Sequence, residues 1–181
     1  MKMNLPNQLT MSRMLLVPVF VFIYLTNLIP SPLKDYLAAI VFTVASLTDL
    51  LDGKLARKMN LVSDFGKFMD PLADKLLVGS ALICFTASGI VPAWAVVILI
   101  GREFVISGFR LVAAGKGVVI AADIWGKLKT TVQMAAMVML MMPWDLAWFR
   151  ILSLVGFYAS VVLSVISVVN YLTKNKAVLR D

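Results

Sequence analysis

Between residues 49 and 74 of a strongly apolar chain, four of the five aspartates and one arginine recur at helical spacing. The segment reads Asp49-x-x-Asp52-Gly53-x-x-Ala56-Arg57, then eight residues, then Gly66-x-x-x-Asp70-x-x-x-Asp74. Carboxylates are the hard oxygen ligands that magnesium and manganese prefer, and four of them suit two ions about 3.5–4 Å apart. With no histidine and a single cysteine, a zinc site is disfavoured. The pattern therefore predicts a two-metal centre of the kind that serves phosphoryl chemistry.

Two helices are needed to bring these residues together. At 100° per residue, one face of the first helix carries Asp49, Asp52, Gly53, Ala56 and Arg57. On the next helix, Asp70 and Asp74 are one turn apart, and Gly66 lies one turn earlier. A short connection around residues 60–64 predicts antiparallel neighbours whose carboxylates can face each other. The small residues allow either close helix packing or room for a ligand.

The composition is that of an integral membrane protein. The chain has 181 residues, is 61% hydrophobic and only 15% charged, and has a mean hydropathy of +0.92. A soluble domain is about 45–50% apolar and about 25% charged. An aspartate or arginine at the centre of a membrane helix costs roughly 2.5–3.5 kcal/mol, so intramembrane acids are functional by default.

Breaks in hydropathy predict six membrane-spanning helices in one all-α bundle. The predicted spans are residues 14–29, 36–56, 71–90, 93–112, 128–142 and 148–172. Short loops leave no room for a second domain, so residues 1–181 are predicted to form a single membrane domain. Within it, residues 1–13 are predicted to be a short interfacial helix, residues 14–172 the six spans and residues 173–181 a cytoplasmic tail.

The basic residues predict the orientation of the bundle. Six spans place both termini on one side, and only Lys34 and Arg150 of the 17 basic residues fall on the other. The positive-inside rule then puts the termini and the aspartates at the cytoplasmic face. A basic rim against anionic lipid explains the net charge of +7 without a nucleic-acid partner.

The aspartate segment resembles the signature of the CDP-alcohol phosphotransferase family, agreeing at all eight fixed positions. Three further segments resemble the bacterial phosphatidylglycerophosphate synthases of this family: residues 5–18, 101–110 and 126–130. This resemblance implies a homodimer in the bacterial cytoplasmic (inner) membrane with its active site facing the cytoplasm.

The resemblance also implies a reaction, the transfer of a phosphatidyl group from CDP-diacylglycerol to the hydroxyl of a small alcohol, with release of CMP. Both metals, Mg²⁺ or Mn²⁺, would be held by Asp49, Asp52 and Asp70 with a contribution from Asp74, which would also be the general base. The implied binding residues for CDP-diacylglycerol are Asp49, Asp52, Gly53, Ala56, Arg57 and Gly66.

The acceptor implied by the resemblance is glycerol 3-phosphate, whose dianionic phosphate needs cations beyond the metal centre. Four basic residues suit this role: Arg102, Arg110, Lys127 and Lys129. They could instead be cytoplasmic lipid anchors. By resemblance alone, Thr10 and Arg13 would close the acceptor site, and Glu103 is a candidate partner for one of the arginines.

Several alternatives stay open from the sequence. Within the family, the acceptor could be serine, inositol phosphate or phosphatidylglycerol, although paired cations argue against a neutral or zwitterionic acceptor. Outside it, a divalent-cation or proton-coupled transporter would also place acids in the membrane, but usually near the midplane and in repeated halves. No internal repeat is evident here. Whether the sixth helix does more than pack is also open.

Overall fold

The computed structural model describes the backbone of residues 5–58, 64–118, 120 and 123–179. The side chains it describes are those of residues 7–48, 66, 68–118, 120, 123–176 and 178. Six α-helices are followed by a short 3₁₀ turn: α1 Leu5–Leu25, α2 Leu33–Lys58, α3 Asp64–Ala87, α4 Ala93–Gly115, α5 Ile124–Met141, α6 Ala147–Lys174 and η1 Lys176–Leu179. The prediction of an all-α protein is confirmed.

Within the part of the chain that the structure describes, two helices are long and apolar enough to cross a membrane by length and composition, over Asn7–Leu25 in α1 and Ala147–Lys174 in α6. Large apolar side chains are nevertheless exposed on all six helices. Examples, one from each helix in order, are Phe22, Ile40, Ile83, Leu111, Ile124 and Val155. Exposed apolar surface of this extent is unusual for a water-soluble protein and fits a membrane protein. The finer prediction of six spans stays a prediction.

The chain divides into two compact units, the first made of residues 1–88 and 141–143. In this unit α1 packs against both α2 and α3. The Phe20 ring lies 5.8 Å from that of Phe42 on α2, and the Tyr24 ring lies 5.7 Å from that of Phe85 on α3. Near its start, α1 contacts α3 again through Thr10 and Asp70. Because Thr10 contacts Asp70 and Tyr24, further along α1, contacts Phe85, further along α3, the two helices are parallel.

The prediction of a separate interfacial helix ending at residue 13 is wrong for the described residues. A single helix, α1, begins at Leu5 and continues without a break to Leu25. Pro6 falls in its first turn, where a missing N–H is tolerated. Thr10 and Arg13 are only 1% and 0% exposed, so these turns pack within the unit. Burial of this polar face favours extending the spanning helix over a bend at the membrane surface.

The second unit comprises residues 89–140 and 144–181. Its helices α4 and α6 run parallel, because Trp94 stacks on Tyr158 at 6.2 Å and Phe109 meets Tyr171 edge-on at 5.6 Å. Small residues let α5 approach α6: a Cβ built on Gly156 would lie 3.2 Å from the Cβ of Ala136.

The 3₁₀ turn after α6 belongs to the packed core of this unit. Val178, in the 3₁₀ turn, is 8% exposed and belongs to an apolar cluster with Ile106, Phe109 and Tyr171. The predicted cytoplasmic location of residues 173–181 stays a prediction; in the structure α6 continues to Lys174 and residue 178 is buried. An apolar residue at position 178 gains more by covering α4 than by extending into water.

Candidate active site

Asp70 and Asp74 lie on α3, one turn apart, in different surroundings. Asp70 is half-buried and its Oδ1 accepts a hydrogen bond of 2.5 Å from the Thr10 hydroxyl on α1. Asp74 is exposed. A hydrogen bond to a carboxylate is charge-assisted and holds the carboxylate in one orientation. The structure thus brings Thr10, predicted from resemblance as an acceptor contact, directly against a predicted metal ligand.

Arg13 lies one turn after Thr10 on α1 and is fully buried. A buried guanidinium is costly unless it is paired, so its position is strongly constrained by the interior of this unit. Its predicted contact with the acceptor phosphate stays a prediction.

The rest of the aspartate segment is described at the level of the backbone. Residues 49–57 form the last turns of α2, and Gly66 is buried in the first turn of α3. Because α2 follows α1 after a short loop and packs beside it, α2 runs antiparallel to α1 and therefore to α3. These helix directions agree with the predicted pairing. The side chains of Asp49, Asp52, Ala56 and Arg57, and the surroundings of Gly53, lie outside the described residues, so their roles stay predictions.

The described donors fit the predicted metal. Asp70 and Asp74 offer carboxylate oxygens from successive turns, and magnesium and manganese prefer such ligands. The Thr10 hydroxyl donates to Asp70, the kind of outer contact that orients a ligating carboxylate.

A glutamate joins two of the four predicted acceptor cations in the second unit. Oε1 of Glu103 lies 2.9 Å from Nη1 of Arg102 and 2.7 Å from Nζ of Lys129. The side chains of Lys129 and Arg102 are 3% and 11% exposed, and that of Glu103 is 30% exposed. These three residues, named here the Glu103 cluster, hold two positive charges and one negative charge. The cluster therefore keeps a net positive charge that suits an anion.

The other two predicted cations are placed differently. Arg110 is exposed, and its Nε donates to the Tyr171 hydroxyl at 3.2 Å. Lys127 is exposed as well, although Lys129 is buried. Residues two apart on a helix point about 200° apart, so Lys127 and Lys129 cannot share a face. The structure brings Arg102 and Lys129 together but does not bring Lys127 to them.

Sequence reasoning missed two hydroxyl groups on α6. Nη2 of Arg102 donates to Oγ of Ser167 at 3.1 Å, and the guanidinium of Arg110 lies 5.7 Å from the centre of the Tyr171 ring. Ser167 and Tyr171 are both almost fully buried. Polar residues spaced three or four apart along one face of α6, from Ser160 to Tyr171, were the signal that could have revealed them.

Gly126 is a further residue with an unrecognised role. It lies in the first turn of α5 beside the Glu103 cluster. A Cβ built on it would lie 2.7 Å from Nη2 of Arg102 and 3.5 Å from Oγ of Ser167. A glycine at this position therefore provides the space that the Arg102 guanidinium occupies.

Comparison with known proteins gives this arrangement a context. A family described as CDP-alcohol phosphatidyltransferase matches residues 3–169. A protein of Bacillus subtilis named CDP-diacylglycerol–glycerol-3-phosphate 3-phosphatidyltransferase is 42% identical over 95% of both chains. A protein of the same name from Escherichia coli is 36% identical over 100% of both chains. Another of the same name, from Rickettsia bellii, is 41% identical over 77% of this chain and 75% of its own. The chain therefore belongs to the CDP-alcohol phosphatidyltransferase family.

Proposed function

We propose that this chain is a CDP-diacylglycerol–glycerol-3-phosphate 3-phosphatidyltransferase, which makes phosphatidylglycerol phosphate and CMP. The observation that carries the proposal is similarity along 95–100% of the chain to relatives whose names specify that donor and that acceptor. The net positive Glu103 cluster supports it, because a phosphorylated acceptor needs buried cations. Membership of a phosphatidyltransferase family leaves the transporter alternative without support.

In the proposed reaction, a hydroxyl oxygen of glycerol 3-phosphate forms a bond to the phosphorus that carries the diacylglycerol. The bond from that phosphorus to the bridging oxygen of the diphosphate breaks, and CMP leaves with this oxygen. The hydroxyl proton goes to Asp74. The exposed position of Asp74 suits a base, whereas the half-buried Asp70, fixed by Thr10, suits a metal ligand.

On the donor side, Asp49, Asp52, Asp70 and Asp74 would hold two Mg²⁺ or Mn²⁺ ions. When bound, such ions neutralise the charge that develops on a diphosphate during phosphoryl transfer. Asp49 and Asp52 would also face the head group of CDP-diacylglycerol. Gly53, Ala56 and Gly66 would leave room for the cytidine, and Arg57 would contact the phosphates.

On the acceptor side, Arg102, Arg110 and Lys129 would bind the phosphate of glycerol 3-phosphate. Arginine offers a planar fork of donors, and lysine a point charge. Lys127, Thr10 and Arg13 are further candidates, although Lys127 lies on the opposite face of α5 from Lys129 and Thr10 is already bonded to Asp70.

The proposed setting is a bacterial cytoplasmic membrane crossed six times by a single domain, with both termini in the cytoplasm. The exposed apolar side chains on all six helices support six spans, and the distribution of lysine and arginine supports the orientation. The lipid tails of the donor would stay in the bilayer. A homodimer is part of the proposal by analogy with the family.

The test is CMP release by the purified protein in detergent with CDP-diacylglycerol and magnesium or manganese. Glycerol 3-phosphate, serine, myo-inositol 1-phosphate and phosphatidylglycerol are supplied separately. The proposal expects turnover with glycerol 3-phosphate only, and loss of turnover when a chelator removes the metal. Turnover with a different alcohol would retain the reaction type but contradict the proposed acceptor.

A further inference from the structure

We propose that α6 is part of the acceptor site: Ser167 and Tyr171 are positioning residues that hold the guanidinium groups of Arg102 and Arg110 ready for the acceptor phosphate. This inference rests on the proposed function. It assigns a role to α6, for which the sequence left open any role beyond packing.

Tyr171 is suited to orient Arg110. Its side chain is 3% exposed and packs edge-on against Phe109 at 5.6 Å, so the ring cannot easily move. The hydroxyl accepts a hydrogen bond from Nε of Arg110 at 3.2 Å. A guanidinium has five N–H donors, and a bond through Nε leaves both terminal amino groups available. Those two groups form the fork that binds a phosphate with two parallel hydrogen bonds.

Ser167 holds Arg102 in a similar way. It is 1% exposed, and its Oγ accepts from Nη2 of Arg102 at 3.1 Å. Glu103 binds Nη1 of the same guanidinium at 2.9 Å. The group is thus fixed on both terminal nitrogens, and each still carries one further N–H.

The two contacts come from one face of α6. Ser167 and Tyr171 are four residues apart, which places them one above the other on a helix. Arg102 and Arg110 are eight residues apart on α4, which runs parallel to α6. A single rigid helix face therefore sets the direction of both arginines. Holding long side chains in place before binding lowers the entropy lost when the phosphate binds.

The experiment measures steady-state kinetics of the full-length protein in detergent. Tyr171→Phe removes only the hydroxyl and keeps the ring. We expect the KM for glycerol 3-phosphate to rise about tenfold, while kcat and the KM for CDP-diacylglycerol change by less than about twofold. Tyr158→Phe is the matched control: Tyr158 is on the same helix, and its ring stacks on Trp94 away from both arginines.

Serine variants test the second contact. Ser167→Ala should raise the KM for glycerol 3-phosphate about three- to tenfold, and Ser167→Thr, which keeps a hydroxyl, should restore most of the loss. Ser160→Ala should have no effect, because the equally buried Ser160 hydroxyl donates to the carbonyl of Phe157 on its own helix.

A double variant separates positioning from packing. If Tyr171 acts through Arg110, Tyr171→Phe should cause no further rise in KM when it is added to Arg110→Gln. Additive effects, or unchanged KM in Tyr171→Phe and Ser167→Ala, would overturn the inference while leaving the proposed function intact. A wild-type enzyme that turns over another alcohol but not glycerol 3-phosphate would overturn the proposed function and this inference with it.

Discussion

Asp70 and Asp74 are identical residues on successive turns of α3, and their different exposure supports the different roles proposed for them. The Thr10 hydroxyl binds Asp70 and fixes its carboxylate, whereas Asp74 lies exposed one turn further along. An oriented carboxylate is a good metal ligand because it needs little rearrangement to bind. An exposed carboxylate can accept a proton from an incoming hydroxyl.

The first prediction concerns Asp74. Asp74→Asn keeps the shape of the side chain but removes its capacity to accept a proton, so we expect kcat to fall about 10²- to 10⁴-fold. Binding of CDP-diacylglycerol should be largely retained. CMP release and CDP-diacylglycerol binding are measured on the same preparation, with Asp145→Asn in the exposed loop before α6 as the control. Near wild-type turnover in Asp74→Asn would rule out Asp74 as the base.

The second prediction concerns Glu103. Glu103→Gln leaves the buried ammonium of Lys129 without its carboxylate. Breaking a fully buried pair costs about 3–5 kcal/mol, and because Glu103 is 30% exposed we expect about 2 kcal/mol of lost stability. Thermal unfolding in detergent measures the change.

A double variant provides the control for Glu103. Glu103→Gln/Lys129→Gln also removes the Lys129 charge, so Arg102 alone keeps a buried charge without the Glu103 carboxylate, and the protein should unfold at a higher temperature than Glu103→Gln alone. If Glu103→Gln is as stable as the wild type, the ion pair with Lys129 contributes nothing to the fold.

Between helices, the packing of α4, α5 and α6 depends on where small residues lie. Gly156 lets α5 approach α6, and Gly126 leaves space for the guanidinium of Arg102. Most helical glycines weaken a helix by about 1 kcal/mol relative to alanine. Gly126 therefore costs helix propensity, and the Arg102 side chain fills the space that a larger residue would need.

The third prediction follows from that space. In Gly126→Ala the new methyl group would lie 2.7 Å from Nη2 of Arg102, which must move away from Ser167. We expect a several-fold rise in the KM for glycerol 3-phosphate with little loss of stability, because the displaced group ends a flexible side chain. Gly108→Ala on α4, where a Cβ meets nothing within 4 Å, is the control and should leave the KM unchanged. If Gly126→Ala has the same KM for glycerol 3-phosphate as Gly108→Ala, Gly126 does not provide space that Arg102 needs.

The helices were predictable because the apolar stretches and the turn-forming residues between them agree along most of the chain. Pro92 and Pro143 mark turns that the structure also has. The start of α1 was not predictable in the same way, because nothing in the sequence shows that Thr10 and Arg13 are buried or that Thr10 contacts Asp70 of α3. The roles of Ser167 and Tyr171 were hidden for a similar reason, since periodicity cannot tell which buried hydroxyl meets which arginine.

For the whole molecule, the number of spans decides on which side of the membrane each loop lies. Among the described residues, α1 and α6 qualify as spans by length and composition, whereas the apolar surfaces of all six helices support six. The two possibilities differ most sharply at the connection between α4 and α5. With six spans this connection is cytoplasmic, on the side of the termini. With two spans it would lie outside, together with the connection between α1 and α2.

The fourth prediction uses single cysteines to distinguish these arrangements. In a Cys84→Ala background, which removes the buried native thiol, cysteines replace Asn27, Lys116 or Asp145, all in exposed positions of connecting segments. A membrane-impermeant maleimide added to intact cells should label positions 27 and 145 but not 116, and disruption of the membrane should expose 116. Labelling of position 116 from outside would contradict six spans. It would also place part of the proposed acceptor side away from the cytoplasm, where a charged acceptor such as glycerol 3-phosphate is expected to be available.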